Sequence, residues 1–395
     1  MTTILCLASY EKGAEFIREA KARGAYTLLL TVDSLQHAAW PREAIDELYV
    51  MPDLANLPNV INGVSYLARS HAIDRIVALD DYDVEMAAAL REHLRLPGTG
   101  SSAAKIVRDK LAMRFRARQF GVPVPPFSPT FPYESLRSYI TRVPGPWLLK
   151  PRSEVSTIGI RRIEQPDDLW PTLDELGDRQ SYYLLERYIP GDVFHIDSLV
   201  WDGQIVFAEA HQYARPPLDV FHGGGVASSR TVERETELHR ALLEINADTI
   251  LALGIRRGPV HAEFIRDVDG HLYFLELGAR VGGAHTAEMV EAATGVNLWR
   301  EWARIEMAGE RGYTPPVPRL DYGAVLVSLA RQEHPDTGPY DDLEIVWRLD
   351  KPHHVGLVLA SPDYQRIETL LSEYRERFAQ DFAASAPAYS ERPPT

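Results

Sequence analysis

Apolar and polar positions divide this chain into blocks of different rhythm. In the first hundred residues, short apolar runs alternate with helical patterns. TILCLA at 3–8 precedes a helical pattern over 11–23 that Gly24 ends, and TLLLTVD follows at 27–33. Strand, helix and strand at this spacing predict a βαβ unit and so a parallel sheet. ELYVMPD, a helix over 62–71 and RIVALDD at 75–81 continue the alternation. A helix to Leu94 and the turn LPGTG close the block, placing a domain boundary near residue 100. An arginine-rich helix over 103–120 then breaks at the four prolines of GVPVPPFSP. A helix over 133–141, the strand PWLLKP at 146–151 and the strands of YYLLERYIPGDVFHIDSLV follow. Asp202-Gly203 turns the chain into QIVFAEAHQY, Gly223-Gly224-Gly225 reads as a loop, and 234–254 is helical. After helices near 286–293 and 298–308, a proline-rich stretch at 313–318 marks a second boundary. Strands GAVLVSLA, LEIVWRL and HVGLVLAS and a last helix follow, and the final ten residues are expected to fray.

The segment 259–285, PVHAEFIRDVDGHLYFLELGARVGGAH, reads as a β-hairpin around Asp269-Gly270. A two-residue turn there pairs Val268 with His271, Ile265 with Phe274, and Glu263 with Glu276. Directly opposed residues share a face, with Cβ atoms roughly 5 Å apart. Two carboxylates so placed repel unless a cation lies between them, and a divalent ion held by carboxylates, water and phosphate is the simplest such cation. The alternative is a solvent-facing hairpin with two unrelated glutamates. The strand runs on into Gly278, Arg280, Gly282 and Gly283, a loop with a fixed cation and little bulk.

Charge and composition narrow the picture. The 395 residues carry 42 basic and 56 acidic side chains, a formal charge of −14. Such a chain has no electrostatic reason to bind nucleic acid. The single cysteine, Cys6, excludes an internal disulfide framework and a thiolate metal cluster. No apolar run reaches membrane-spanning length and no leader pattern is visible, so cytoplasm is the expected compartment. The turn after the first strand, SYEKGAEF, lacks the dinucleotide glycine fingerprint, and no P-loop pattern occurs. Asp80, Asp81, Asp83 and Glu85 cluster at a strand's carboxyl end, where open sheets gather ligands. An acidic helix N-terminus would give the same pattern. Lys150 closes an apolar strand and needs an anionic partner or solvent. The loop holding Ser153, Ser156, Thr157 and Gly159 is suited to folding over phosphate oxygens.

The order of Lys110, Lys150, Glu186, Glu263 and Glu276 resembles the ATP-grasp superfamily, and within it the carboxylate–amine ligases such as amino-acid (dipeptide) and carnosine-synthase-like ligases. The resemblance covers nearly the whole chain. It implies an α/β fold: a Rossmann-like pre-grasp domain (1–100), a two-lobed grasp domain (101–312, lobes 101–185 and 186–312) and a small C-terminal α/β extension (313–395). By that resemblance Lys110 and Lys150 meet the nucleotide phosphates, together with the loop of Ser156 and Gly159. Glu186 would accept from the adenine amino group, while the backbone of Arg187 and Ile189 reads the ring edge. The usual ribose acid falls at Val193 here, leaving Asp192 as the nearest substitute. Glu263 and Glu276 match the ligands of Mg2+, or Mn2+ in its place. Gly278 stands where an asparagine normally completes the metal site. Arg280 matches the arginine that stabilises the transferring phosphate.

The implied reaction joins a carboxylate and an amine, expected to be amino acids, through an acyl phosphate with release of ADP and phosphate. The loop at 153–159 would close over that intermediate and exclude water. Gly282, Gly283, His285, Asp81 and the 221–229 loop are candidate substrate contacts. His195, His211, His222 and His285 are candidates for the base, with none singled out. Dimers are common among similar ligases. Competing readings are other grasp chemistry (biotin-dependent carboxylation or small-molecule phosphorylation) and a nucleotide-binding protein without turnover.

Overall fold

The structure, a computed structural model, describes residues 1–155, 157–309 and 312–384, and all of their side chains except those of 221–223. Among these residues no helix is long and apolar enough to cross a membrane.

The first block folds as the pattern predicts. Strands β1 (Thr3–Ala8), β2 (Tyr26–Val32), β3 (Glu47–Met51) and β4 (Arg75–Ala78) form a parallel sheet in the order β3-β2-β1-β4. Every residue of β1 is buried, as in a sheet covered on both faces. The strand order reverses at β1, so a crevice opens beyond the carboxyl ends of β1 and β4. The acidic cluster lies there. Asp83 accepts from the Ser9 backbone N–H at 2.8 Å and from its hydroxyl at 2.5 Å. Asp80 pairs with Lys12 and caps the following turn through the Tyr82 N–H.

The second block is a small antiparallel sheet of β5 (Phe127–Pro129), β6 (Trp147–Pro151), β7 (Arg161–Ile163) and β8 (Tyr183–Arg187), ordered β5-β8-β6-β7. The period of two along β6 splits its side chains between two faces. Trp147 and Leu149 pack under the helices Tyr133–Arg142 and Pro166–Leu176 through Leu136, Leu169 and Leu173. Leu148 and Lys150 face the opposite way, into a cleft.

The third sheet has eight strands. It holds β9 (Gly191–Trp201), β10 (Gln204–Tyr213), β11 (Ala227–Thr231), β12 (Gly258–Asp267), β13 (Leu272–Gly278), β14 (Tyr322–Leu329), β15 (Ile345–Arg348) and β16 (His354–Ser361). Their order is β13-β12-β9-β10-β11-β14-β16-β15. Residues 322–361 therefore extend this sheet, with β14 pairing onto β11 (Ser229 opposite Val325), rather than forming a sheet of their own. The helix Tyr364–Asp381 packs on the extension through Ile367, Leu370, Tyr374 and Phe378.

The β12–β13 hairpin differs from the expected register. Asp267 and His271 close the loop, Gly270 sits at φ +89°, and the turn spans three residues, not two. Phe264 therefore pairs with Phe274 and Ile265 with Tyr273, one residue away from the expected Ile265–Phe274 pair. A β-bulge that leaves Leu275 as the extra residue then shifts the register back. Glu263 faces Glu276 because these two one-residue offsets cancel.

The chain passes from the small to the large sheet at Gly191. A methyl group placed on Gly191 would lie 2.0 Å from the Arg266 carbonyl oxygen, inside the β9–β12 ladder. Gly191→Ala is expected to destabilise the protein by about 1–3 kcal/mol through this overpacking. Urea unfolding at constant m-value measures it.

Candidate active site

Three long strands and the hairpin present one polar face. His195 and Asp197 on β9, His211 and Tyr213 on β10, His261 and Glu263 on β12 alternate with apolar core residues, and the ladder aligns them. His261 stands opposite Asp197, and Glu263 opposite His195. Glu276 then faces Glu263 across the hairpin. The Tyr213 hydroxyl donates to Glu263 Oε1 at 2.8 Å, and His261 Nε2 lies 3.7 Å from the same oxygen. Lys110, at the start of the helix Lys110–Gln119, reaches Glu276 Oε2 at 2.8 Å and donates to the Glu154 carbonyl at 2.5 Å. The two acids are thus separated by cationic and hydroxyl groups. The pair supplies two carboxylates on one face of a cleft, the donor set a hard divalent cation uses with water and phosphate.

Below them lies a buried relay. Asp197, fully buried, accepts from His195 Nδ1 at 2.8 Å and His261 Nδ1 at 2.9 Å. Burial alone would make Asp197 a weaker acid, but His261 and His195 outweigh it and hold its carboxyl far below the usual range. Burial likewise lowers His261, while the Asp197 carboxylate more than offsets this and pushes it up to about 9. His211 stacks on His195 at 4.7 Å and is driven well below its ordinary value by burial.

A narrow cavity of about 100 Å3 lies between the small sheet and the large one. Lys110, Leu148, Lys150, Glu186, Arg187, Ile189, Val193, Ile265 and Leu275 line it. The Ile189 N–H has no partner among the described residues, whereas the Arg187 N–H is taken by the Pro126 carbonyl at 2.8 Å. Glu186, expected to accept from an adenine amino group, lines this cavity. Its two oxygens accept from Arg114 Nε and Lys150 Nζ, each at 2.5 Å, so it anchors Lys150 from below. Burial raises Glu186, but Arg114 and Lys150 hold it below its ordinary value. Asp192, the expected ribose contact, does not line this cavity. Val193 takes the cavity face of β9, and the pleat turns the exposed Asp192 to the other side, beside Arg266.

A larger cavity, about 330 Å3, adjoins the first, and Thr157, Pro217, Glu263 and Glu276 belong to both. Arg280 and Gly283 line it. Arg280 Nε is held by Asp81 Oδ2 at 2.5 Å, joining the grasp loop to the first sheet. Burial raises Asp81, yet Arg280 and Arg108 pull it down to about 2. A Cβ on Gly278 would stand 3.3 Å from both Asp81 oxygens, so the Asp81–Arg280 pair occupies the space an asparagine there would need. Gly282 is a close-approach glycine, where a Cβ would come 2.7 Å from Asp197 and 2.9 Å from His261. His285, a candidate substrate contact, is not among the cavity-lining residues and packs on Trp347 at 4.6 Å. Gly159, at φ +71°, turns the chain after Thr157, and Ser156 lies outside the described residues, as does the His222 side chain.

Residues 143–288 match the family model described as the ATP-grasp domain. The chain is 25% identical over 268 residues to an L-arginine-specific L-amino acid ligase of Bacillus subtilis, across 66% of this chain and 64% of that protein. It superposes with a TM-score of 0.76 on the crystal structure of an L-amino acid ligase from Bacillus licheniformis, at 17% identity over 98% and 99% of the two chains. Residues 143–288 thus carry the likeness to an ATP-grasp domain. The fold also matches the biotin carboxylase domain of a 2-oxoglutarate carboxylase from Hydrogenobacter thermophilus, solved with MgADP and bicarbonate (TM-score 0.71, 17% identity, 97% and 90% covered). The curated relative is spanned over slightly less than two thirds of its length.

Within this ATP-grasp frame, Arg114, Asp197, Tyr213 and His261 were not singled out from the sequence. Strand alternation carried the signal for three of them, since His261 is two residues before Glu263 and Asp197 is two after His195. Arg114 carried none, because its helix holds several arginines and only the fold decides which is buried.

Glu186→Gln leaves two buried cations without their anion and is expected to cost about 3 kcal/mol. The folded carboxyl titrates below its ordinary value of 4.5, so its stabilisation is complete above that pH and is lost as pH falls. Urea unfolding of both proteins from pH 7 to 3 should show the wild-type advantage shrinking on acidification.

Proposed function

We propose that the protein is an ATP-dependent carboxylate–amine ligase acting on amino acids. One observation carries the reading. The Glu263–Glu276 pair stands where a narrow apolar slot meets a larger cavity, with Lys110, Lys150 and Arg280 around it. The likeness to an amino-acid ligase favours amide formation over the carboxylation performed on the same fold.

In this reading the narrow slot takes adenine. Leu148, Val193, Ile265 and Leu275 stack on it, and the free Ile189 N–H donates to its edge. Lys150, fixed by Glu186, and Lys110 neutralise the phosphates. Glu263 and Glu276 would hold Mg2+, which when bound draws charge from the β- and γ-phosphates. Arg280, locked by Asp81, faces the γ-phosphate and costs no reorganisation as charge develops there. A substrate carboxylate oxygen attacks the γ-phosphorus, the bond to the β-phosphate oxygen breaks, and an acyl phosphate and ADP form. An amine then attacks the acyl carbon, phosphate leaves, and the nitrogen gives up a proton. Thr157 and its loop cover the junction of the two cavities and keep water from the acyl phosphate.

Phosphate release from ATP should require a carboxylate substrate together with an amine and should fall at least about 100-fold in Glu276→Gln, in the range for loss of a charge-stabilising catalytic group. With hydroxylamine replacing the amine, the acyl phosphate should be captured as a hydroxamate equimolar with ADP. Nucleotide binding without hydroxamate or phosphate for any amino-acid pair would sink the proposal.

A further inference from the structure

The larger cavity has two unlike ends. At the inner end stand Glu263, Glu276 and Arg280; elsewhere the wall is Val220, Ala227, Ala284, Val325 and Val327 with the hydroxyls of Ser228, Ser229 and Thr286. Arg215 also lines it, an exposed residue with no hydrogen bond or ion pair to any described residue. A second guanidinium lies near enough to repel it: Arg375, on the helix Tyr364–Asp381. Arg375 Nε is buried without a hydrogen-bond partner among the described residues, and the adjacent Glu376 offsets part of its charge. Two neighbouring guanidiniums with no ion pair to a described residue stand out in a chain of net charge −14, where carboxylates are plentiful. Such a pair is relieved by an anion. Among the described residues the cavity wall has no acid besides the two glutamates at its inner end, so none elsewhere in it offsets a cationic side chain.

We propose, building on the ligase reading, that this cavity takes the amine substrate and that Arg215 binds that substrate's free carboxylate. The substrate is then an amino acid with an uncharged side chain seated against Val325 and Val327, its nitrogen directed to the inner end. The wall formed by β14 makes the C-terminal strands part of the specificity pocket. Arginine and lysine are excluded, because each brings a second positive charge into a cavity that already holds Arg215 and Arg280.

The test is calorimetric titration of the full chain, loaded with a non-hydrolysable ATP analogue and Mg2+. The titrants are the twenty L-amino acids and their carboxamides, and the proteins are wild type, Arg215→Met and Arg215→Lys. Neutral amino acids should bind wild type at least about tenfold more tightly than their carboxamides, and tenfold more tightly than arginine or lysine, the scale of one charge-assisted contact. Arg215→Met should abolish the acid-over-amide preference and Arg215→Lys should retain part of it. Equal binding of acid and carboxamide to wild type, a preference unchanged in Arg215→Met, tightest binding of arginine, or no binding of any amino acid would each overturn the proposal. Phosphate release measured on the same panel separates the two readings. Release without acid-over-amide discrimination removes Arg215 and keeps the ligase. Discrimination without release keeps Arg215 and removes the ligase.

Discussion

The structure depends on keeping two carboxylates opposite each other. Two negative charges at roughly the 5 Å spacing of opposed Cβ atoms would repel by about 3 kcal/mol at an effective dielectric of about 20. A hairpin can carry that cost only if its surroundings supply positive charge and fix the geometry. Lys110 reaches Glu276 from the helix at the start of the grasp region. Tyr213 reaches Glu263 from β10, and His261 from two residues earlier on the same strand. Asp197 in turn fixes His261, and Gly282 lets the loop carrying Arg280 pass close to both. Each support comes from a different element, so the acidic pair is tied to the packing of the whole large sheet.

The same logic governs the cations. Lys150 is buried on Glu186, and Glu186 shares its charge with the fully buried Arg114. Arg280 is held by Asp81, 199 residues away in the chain, at the crevice of the parallel sheet. In both cases an acid that contacts no phosphate in the proposed reaction decides where a phosphate-facing cation points. That is how a site can be arranged before its ligands arrive.

Much of this was legible in the residues. Parallel strands were readable from continuous apolar runs, and the opposed Glu263 and Glu276 from a turn and a count. The count reached the right pair through the wrong turn. A three-residue loop around Gly270 and a bulge at Leu275 each shift the register by one, in opposite senses. Turn chemistry alone cannot reveal a bulge, because the bulge lies beyond the turn, between the Glu263–Glu276 and Phe264–Phe274 pairs. Asp192 falls outside the cavity lining for a related reason, since one residue along a strand is the opposite face. The Asp81–Arg280 pair and the burial of Arg114 are contacts across the chain, which local patterns do not encode. The joining of residues 322–361 to the large sheet was equally invisible, because an edge-to-edge ladder depends on which strand edges the fold leaves open.

The most direct test of the central claim follows oxygen. Once a productive amino-acid pair is in hand, the carboxylate substrate is labelled with oxygen-18 and the released phosphate is examined by mass spectrometry. Transfer of the γ-phosphoryl group to that carboxylate predicts one labelled oxygen in each phosphate and loss of one from the amide product. Phosphate free of label, with both labelled oxygens accounted for elsewhere, would contradict it.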